Sequence, residues 1–373
     1  MTSPKTHNIL VLPGDGIGPE VMAEALKVLH AFESPTLKFN LTNGLIGGCS
    51  IDAHNDSLTD SVRAAALAAD AVLFGSVGGP KWGGMRKGFQ GPEGGVLRLR
   101  QAMEIYGNIR PCIIPSWEVA RAKSAFKPEV IEGVDFIVLR ENCGGAYFGR
   151  KAEDPDYAMD EWGYSKSEVQ RITRLAAYLA RRHDPPWPVI SLDKANVLAS
   201  SRLWRRVFEE TMTSEFPDLE WRHQLADSAS LIMAVNPRAL NGVILGDNTF
   251  GDMLSDQAAS IPGTLGVLPS ASLSGVPGGK DKVYGLYEPT HGSAPDIAGQ
   301  GKADPVAMIL CVSMMFRYSF NMDEEAQIID DAVSTVLDSG VRTPDLGGKA
   351  TTSVLGDAIA AQVHHSLKQL RSN

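Results

Sequence analysis

Short, largely apolar runs recur along the chain: Asn8–Pro13, Ala71–Phe74, Val189–Leu192 and Val243–Leu245, closed by glycine or aspartate, and Val134–Leu139, which ends at Arg140. Brief runs without polar alternation suit strands buried on both faces. A further strand is expected at Pro111–Ile114. Between them the apolar positions change to helical spacing. Helices are expected at Val21–Phe32, at Ser57–Ala69 with its alanine-rich face, and around Val96, Leu97, Leu99 and Met103. Another follows the capping box Ser165-x-x-Glu168 and buries Val169, Ile172, Leu175, Ala176 and Leu179. Asp227 precedes a short apolar helix at Leu231–Val235. Asp304-Pro305 introduces Val306–Phe316, Asp323-Glu324-Glu325 caps the next helix, and Val354–Leu370 closes the chain. The pattern is that of an α/β protein with no internal repeat.

Composition narrows this little. The 373 residues suffice for two or three domains, and 43% apolar with 21% charged residues is ordinary for a soluble protein. Net charge is 35 − 44 = −9, which disfavours nucleic acid or an anionic membrane as partner but permits a local basic pocket. Cys49, Cys112, Cys143 and Cys311 are scattered and read as buried thiols of a reducing compartment. No apolar run approaches the ~18 residues of a membrane span. The start lacks a signal-peptide pattern, so a cytoplasmic location is expected.

Candidate chemistry lies at the strand ends. Gly246–Asp256 reads GDNTFGDMLSD, with a turn expected at Asn248–Gly251 and a helix opening at Asp252. Asp252 and Asp256 then share one helix face. They suit either a hard divalent cation or a solvated acidic face. Gly14, Gly16 and Gly18 suggest a dinucleotide turn, but the spacing is G-x-G-x-G. The Rossmann fingerprint also needs an acid about 20 residues further on, whereas Leu37–Leu41 runs into Thr42-Asn43-Gly44. A standard Rossmann site is therefore rejected, although the turn still aims N–H groups beyond its strand. The glycine-rich GSVGGPKWGG after Phe74 is either a ligand loop or a flexible one. Arg100, Arg110 and Arg140 each stand at an element end, as surface residues or together as an anion pocket. Lys194, between Asp193 and Asn196, is a salt-bridged lysine or a general base. The loop PTHGSAPDIAG places His291, Gly292, Ser293 and Asp296 close together.

With these residues assembled, the chain resembles the isocitrate/isopropylmalate family of β-decarboxylating dehydrogenases from about Asn8 to Leu370. The likeness is carried by LPGDGIGPE (12–20), GSVGGPKW (75–82), NIRP (108–111), YFG (147–149), SLDKANVL (191–198), FGDMLSD (250–256) and YEPTHGSAPDIAG (287–299). It implies two α/β domains with a mixed sheet flanked by helices. Residues 1–105 and 263–373 would form a discontinuous cofactor-side domain, and 106–262 the domain for dimerisation, substrate and metal. The implied reaction is NAD-dependent oxidative decarboxylation of 3-isopropylmalate in leucine biosynthesis, with Mg²⁺ or Mn²⁺, in a homodimer with shared sites. Paralogous reactions on another 2-alkyl or 2-aryl malate, D-malate or tartrate are the alternative.

Residue by residue, the resemblance makes Arg100, Arg110 and Arg140 the clamps on the malate carboxylates. Asp252 and Asp256 become metal ligands, with Asp227 a third that also faces substrate from the partner subunit. Lys194, again across the interface, takes the C2 hydroxyl proton, and Tyr147 protonates the enolate. Glu93, Val96 and Leu97, with Val197 from the partner, surround the substrate and give it an apolar slot. Isocitrate-type relatives carry serine and asparagine where this chain has Gly94 and Val96. A γ-carboxylate would lack a polar partner there. Ile17, Gly78, Glu288, His291, Gly292, Ser293, Ala294, Asp296, Ile297 and Asp304 fall to the cofactor. Asp296 would accept from ribose hydroxyls and repel a 2′-phosphate, favouring NAD over NADP. The chain departs from the family pattern at Val96, Arg98, Asn142-Cys143, Asp247 and Asp304. The last stands where an asparagine normally touches the cofactor.

Overall fold

The computed structural model describes residues 4–83, 91–279 and 282–372; Met1–Ser3 and Gly84, the end of the glycine-rich loop, lie outside them. Twelve strands are present among these residues: β1 (Lys5–Gly14), β2 (Leu37–Asn43), β3 (Ala71–Ser76), β4 (Gly107–Cys112), β5 (Phe136–Glu141), β6 (Lys151–Glu153), β7 (Ala158–Asp160), β8 (Val189–Asp193), β9 (Trp221–Leu225), β10 (Gly242–Gly246), β11 (Pro269–Leu273) and β12 (Gly285–Pro289). Ten form one sheet in the order β2-β1-β3-β12-β11-β4-β5-β10-β8-β9, and β6 pairs with β7 in a small hairpin. The flanks are parallel; antiparallel pairing is confined to β12–β11–β4–β5 at the centre. The five strands on one side come from residues 5–76 and 269–289, and the five on the other from 107–246.

Successive strand residues point to opposite faces, and this alternation divides the core. On one face Ile9, Leu73, Tyr287, Ala271, Ile109, Leu139 and Leu245 belong to a single apolar cluster that spans the sheet. Helices Gly18–Ala31, Val306–Met315, Asp323–Asp338 and Thr352–Ser372 pack there beside Lys166–Ala180 and Ala199–Glu215. On the other face the core is split. Leu10, Val72, Leu286, Val96 and Leu99 form one cluster, and Phe136, Val138, Ile190, Ile244 and Leu254 form another. Between them the central strands present Glu288, Ser270, Ser272, Asn108, Arg110 and Arg140. Opposite register sets Ser270 against Glu288, Ser272 against Asn108, and Asn108 against Arg140. A polar strip thus runs between two apolar halves.

Several elements differ from the sequence expectation. The strand expected at Pro111–Ile114 is Gly107–Cys112, so Arg110 lies within it; pairing with β5 and β11 outweighs the local pattern. The helix expected to open at Asp252 begins at Asn248, because the Asp247 side chain accepts from the Phe250 N–H at 2.8 Å and caps it. Asp227 sits in the first turn of helix Ala226–Val235 rather than before it. Thr59 caps helix Asp60–Ala68, which therefore starts later than Ser57. Asp323 is the first residue of its helix and no side chain caps that end; its acids instead occupy the first turn, where the helix dipole favours them. The amphipathic helix Ala199–Glu215, burying Trp204, Val207, Phe208 and Met212, was not anticipated. The Ser165–Glu168 capping box is present as read.

Candidate active site

The polar strip and the start of helix Asn248–Ala258 together bring the predicted clamp and acid residues into one place. Arg140 is the last but one residue of β5 and is 4% exposed. Its Nε and Nη2 donate to Asn248 Oδ1 at 2.9 and 2.7 Å, and its Nη1 pairs with Asp252. Burial pulls its pKa down to about 10; Asp252 opposes that fall, and the positive charges of Arg110 and Arg100 add to it. The three cations therefore lie within electrostatic reach of one another. Arg110, on the same sheet face, donates from Nε to Asn108 Oδ1 at 2.8 Å and from Nη1 to Ser255 Oγ at 2.9 Å and Asp256 Oδ1 at 3.1 Å. Asn108 is itself held by Ser272 Oγ at 3.0 Å. Arg100, from helix Pro92–Met103, reaches Glu288 at 2.6 Å. Two anionic substrate groups entering this strip would meet guanidinium forks oriented by Asn248, Asn108 and Ser255, and would compete with Asp252, Asp256 and Glu288 for them.

Tyr147 lies in the turn after β5. Its hydroxyl donates to Asp252 Oδ2 at 2.9 Å, and the Arg140 guanidinium stands 5.4 Å from its ring centroid. Burial and the neighbouring Asp252 carboxylate raise the phenol pKa, so the ring stays protonated near neutral pH. Asp252 and Asp256 stand one turn apart, the second well exposed. Lys194 and Asp227 are not part of this group in the same chain. They pair with each other at 2.7 Å, and the lysine holds the Asp227 carboxyl below its ordinary pKa. Among the described residues no three acid, histidine or cysteine side chains gather as a metal site. The donor set of Asp252 and Asp256 is all oxygen, as Mg²⁺ or Mn²⁺ prefers, and fits such an ion once a further carboxylate is supplied from outside the chain.

The substrate-slot residues are placed unevenly. Val96 is packed into the apolar cluster beside Leu10 and Leu12, Leu97 is half-buried, and Glu93 is exposed. Val197 is 63% exposed on the turn after Lys194.

The expected cofactor residues meet at the strand ends of the other half. The Ile17 N–H donates to Ser293 C=O at 2.8 Å, and a Cβ on Gly16 (φ +60°) would lie 2.0 Å from that carbonyl oxygen. Only glycine allows this approach between the Gly14–Gly18 turn and the His291–Asp296 loop. Ala294 holds φ +37°, an uncommon conformation for a residue with a side chain. The His291 Nδ1–H donates to the Gly292 carbonyl oxygen at 3.0 Å, and burial lowers the ring's pKa, so it is neutral near pH 7. Asp296 is exposed. Asp304 is deeply buried: Oδ1 accepts from Val306 N at 2.9 Å, Oδ2 has no partner among the described residues, and burial raises its pKa strongly. The Gly78 N–H is spent on Asp15, whose carboxylate also accepts from Gly48 and Cys49 at 2.7 Å each. Asp15 thus ties three loops together, a role that its place between two glycines could have suggested. Asn248, expected only as part of a turn, and Glu141 and Tyr164 are further residues for which the sequence reading gave no role at the site. Nothing in the local sequence marks Asn248 or Tyr164, whose partners lie on other elements, while Glu141 accepts from Cys143 and Gly144 just after it as well as from Arg171. Asp247, a departure without an explanation at the sequence level, caps the helix and accepts from Trp162 Nε1 at 3.0 Å.

This fold and site define the isocitrate/isopropylmalate dehydrogenase family, whose model matches residues 8–359, and the chain belongs to it. Among curated relatives, 3-isopropylmalate dehydrogenase B of Aspergillus niger is 67% identical over 365 residues, covering 97% of this chain and 98% of that protein. The 3-isopropylmalate dehydrogenase of Neurospora crassa is 53% identical over 368 residues, covering 97% and 99%. Among solved structures, isocitrate dehydrogenase from Methylococcus capsulatus superposes with a TM-score of 0.82 at 31% identity, covering 96% and 99% of the two chains. A β-decarboxylating dehydrogenase from Thermococcus kodakarensis gives 0.77 at 31% identity, covering 97% of each.

Proposed function

We propose that the protein catalyses the NAD-dependent oxidative decarboxylation of 3-isopropylmalate to 4-methyl-2-oxopentanoate and carbon dioxide, a step of leucine biosynthesis. One observation carries this reading: Arg140 and Tyr147 converge on Asp252 in a strip flanked by two more arginines. Bound nicotinamide supplies the electron acceptor, and a divalent cation held by Asp252, Asp256 and Asp227 supplies polarisation of the C2 oxygen. Arg100, Arg110 and Arg140 bind and orient the two carboxylates. Lys194 takes the proton of the C2 hydroxyl. After carbon dioxide leaves, the Tyr147 hydroxyl delivers a proton to the enolate carbon, consistent with a phenol kept protonated.

Lys194 and Asp227 reach the site from a second copy of the chain. This is supported by their pairing with each other away from Asp252 and Asp256, and by an uncovered apolar surface nearby. Leu231 and Val235 are each 63% exposed on helix Ala226–Val235, and Met253 is 67% exposed on the adjoining helix. Two Ser230–Gln257 hydrogen bonds tie these helices into one face. Residues 1–105 and 263–373 then act as the cofactor-side domain and 106–262 as the dimerising, metal-bearing one, a division supported by the segregation of strands across the sheet. The cofactor is NAD, and the enzyme works in the cytoplasm.

The test is NADH absorbance with 3-isopropylmalate, isocitrate, D-malate and tartrate at fixed NAD and Mn²⁺. Turnover of 3-isopropylmalate well above the others supports the reading, and equal turnover of isocitrate overturns it.

A further inference from the structure

Asn248 is fully buried at the first position of its helix. Each of its polar side-chain atoms is engaged. Oδ1 accepts twice from the Arg140 guanidinium, and Nδ2 donates to the Gly144 carbonyl at 2.9 Å. Its own backbone N–H donates to the Tyr164 hydroxyl oxygen at 2.9 Å. Gly144 is pinned at both ends, since its N–H donates to Glu141 Oε2 at 2.8 Å. The Tyr164 ring fills the space that Cβ atoms on Gly144 and Gly145 would take, 2.6 and 2.4 Å from its nearest atoms. Gly145 then turns through φ +69° and accepts from the Phe148 and Gly149 N–H groups, which fixes the peptides on either side of Tyr147.

We propose that Asn248 is a positioning residue that couples the Arg140 clamp to the turn carrying Tyr147, so that carboxylate binding and proton delivery are aligned by one amide. This rests on the roles given above to Arg140 and Tyr147. The chemistry selects asparagine. One end of the side chain must accept from a cation and the other must donate to a carbonyl, across the span of a single amide. An aspartate would keep the first contact and set an oxygen against the Gly144 oxygen. A serine, with one short hydroxyl, would make neither contact fully. Asp247 fixes the backbone beneath by capping the same helix and holding Trp162, whose ring packs 5.2 Å from Phe250.

The test pairs Asn248→Asp with Asn248→Ser, with rates normalised to folded protein and amide exchange followed over residues 143–149. For Asn248→Asp we expect KM for 3-isopropylmalate within about threefold of the parent, kcat lowered at least about tenfold, and exchange at 144–149 accelerated to a similar degree. For Asn248→Ser both kcat and KM worsen, while KM for NAD is unchanged in either variant. In the unmutated protein, residues 144–149 and 248–252 exchange as one unit. Independent exchange of those segments, or variants that lose stability but keep kcat, KM and exchange, would overturn the proposal. Failure of the parent to turn over 3-isopropylmalate would overturn the assigned reaction instead, and the exchange pattern alone would then decide the coupling.

Discussion

The Tyr147 hydroxyl donates to Asp252 Oδ2 across 2.9 Å, so the proposed proton donor rests on a proposed metal ligand. The phenol can leave that carboxylate when a cation claims it, and is then free to face the substrate. Tyr147→Phe keeps the ring over Arg140 and removes only the hydroxyl that carries the proton. We expect kcat to fall by about 10²–10⁴-fold with little change in KM, measured by NADH absorbance together with release of carbon dioxide.

Removal of divalent ions gives a second expectation. Without the cation, Asp252 stays paired with Arg140 and Tyr147, and C2 loses its polarising charge. Chelation stops NADH production, and added Mg²⁺ or Mn²⁺ restores it. Continued NADH production after dialysis against chelator would sink the proposed chemistry.

Sharing of sites between subunits is open to complementation. Lys194→Met and Asp252→Asn should each abolish activity as homodimers. In a hybrid, one site receives both lesions and the other receives neither. Mixing the unfolded variants and refolding them together should recover activity, whereas additive silence would place both residues in one chain's site.

Asp304 supplies a pH expectation. Burial, then the charge of Asp345, raises its pKa above the ordinary 3.8. An acid whose folded pKa exceeds its unfolded one favours folding in its protonated form. That contribution is present in acid and is lost as pH rises from the unfolded value through the folded one. Asp304→Asn keeps the acceptor for the Val306 N–H and cannot ionise. Its Tm should exceed the parent's by roughly 2–4 °C near pH 8, with the gap closing toward pH 4.

Cofactor choice is tested at Asp296. A 2′-phosphate about 4 Å from this carboxylate meets a repulsion of about 4 kcal/mol at an effective dielectric of about 20, before screening at this exposed position reduces it. Asp296→Ala should raise kcat/KM for NADP at least about tenfold while lowering that for NAD only modestly. Tighter binding of NADP than NAD by the unaltered protein would contradict the argument.

Much of the frame was legible because buried strands write themselves as apolar runs. β1, β3, β5, β8 and β10 fall where those runs are. The i, i+4 spacing of Asp252 and Asp256 survives the earlier helix start, since both remain on the same helix. The polar strip was hidden for a topological reason. Asn108, Ser272 and Arg140 meet only because β11, β4 and β5 pair antiparallel across long stretches of sequence, and no local period encodes that pairing. Asn248 was read as a turn former, which its residue type favours, whereas its work is done by contacts to Arg140 and Gly144 on other elements. Helix Ala199–Glu215 did carry its own signal: Trp204, Val207, Phe208 and Met212 repeat at helical intervals among charged neighbours.

The uninterrupted cluster behind the sheet and the divided one in front act as binding and pages of a book. Were the two halves to close over a small diacid, the spine would have to bend without tearing. The bend would then fall on the short ladder between β11 and β4, where Ala271, Ser272 and Leu273 face Ile109, Asn108 and Gly107. Arg110 and Arg140, proposed to grip the ligand, are stitched into the strands beside that crease, so the proposed catch and the fold line of the molecule would be one piece.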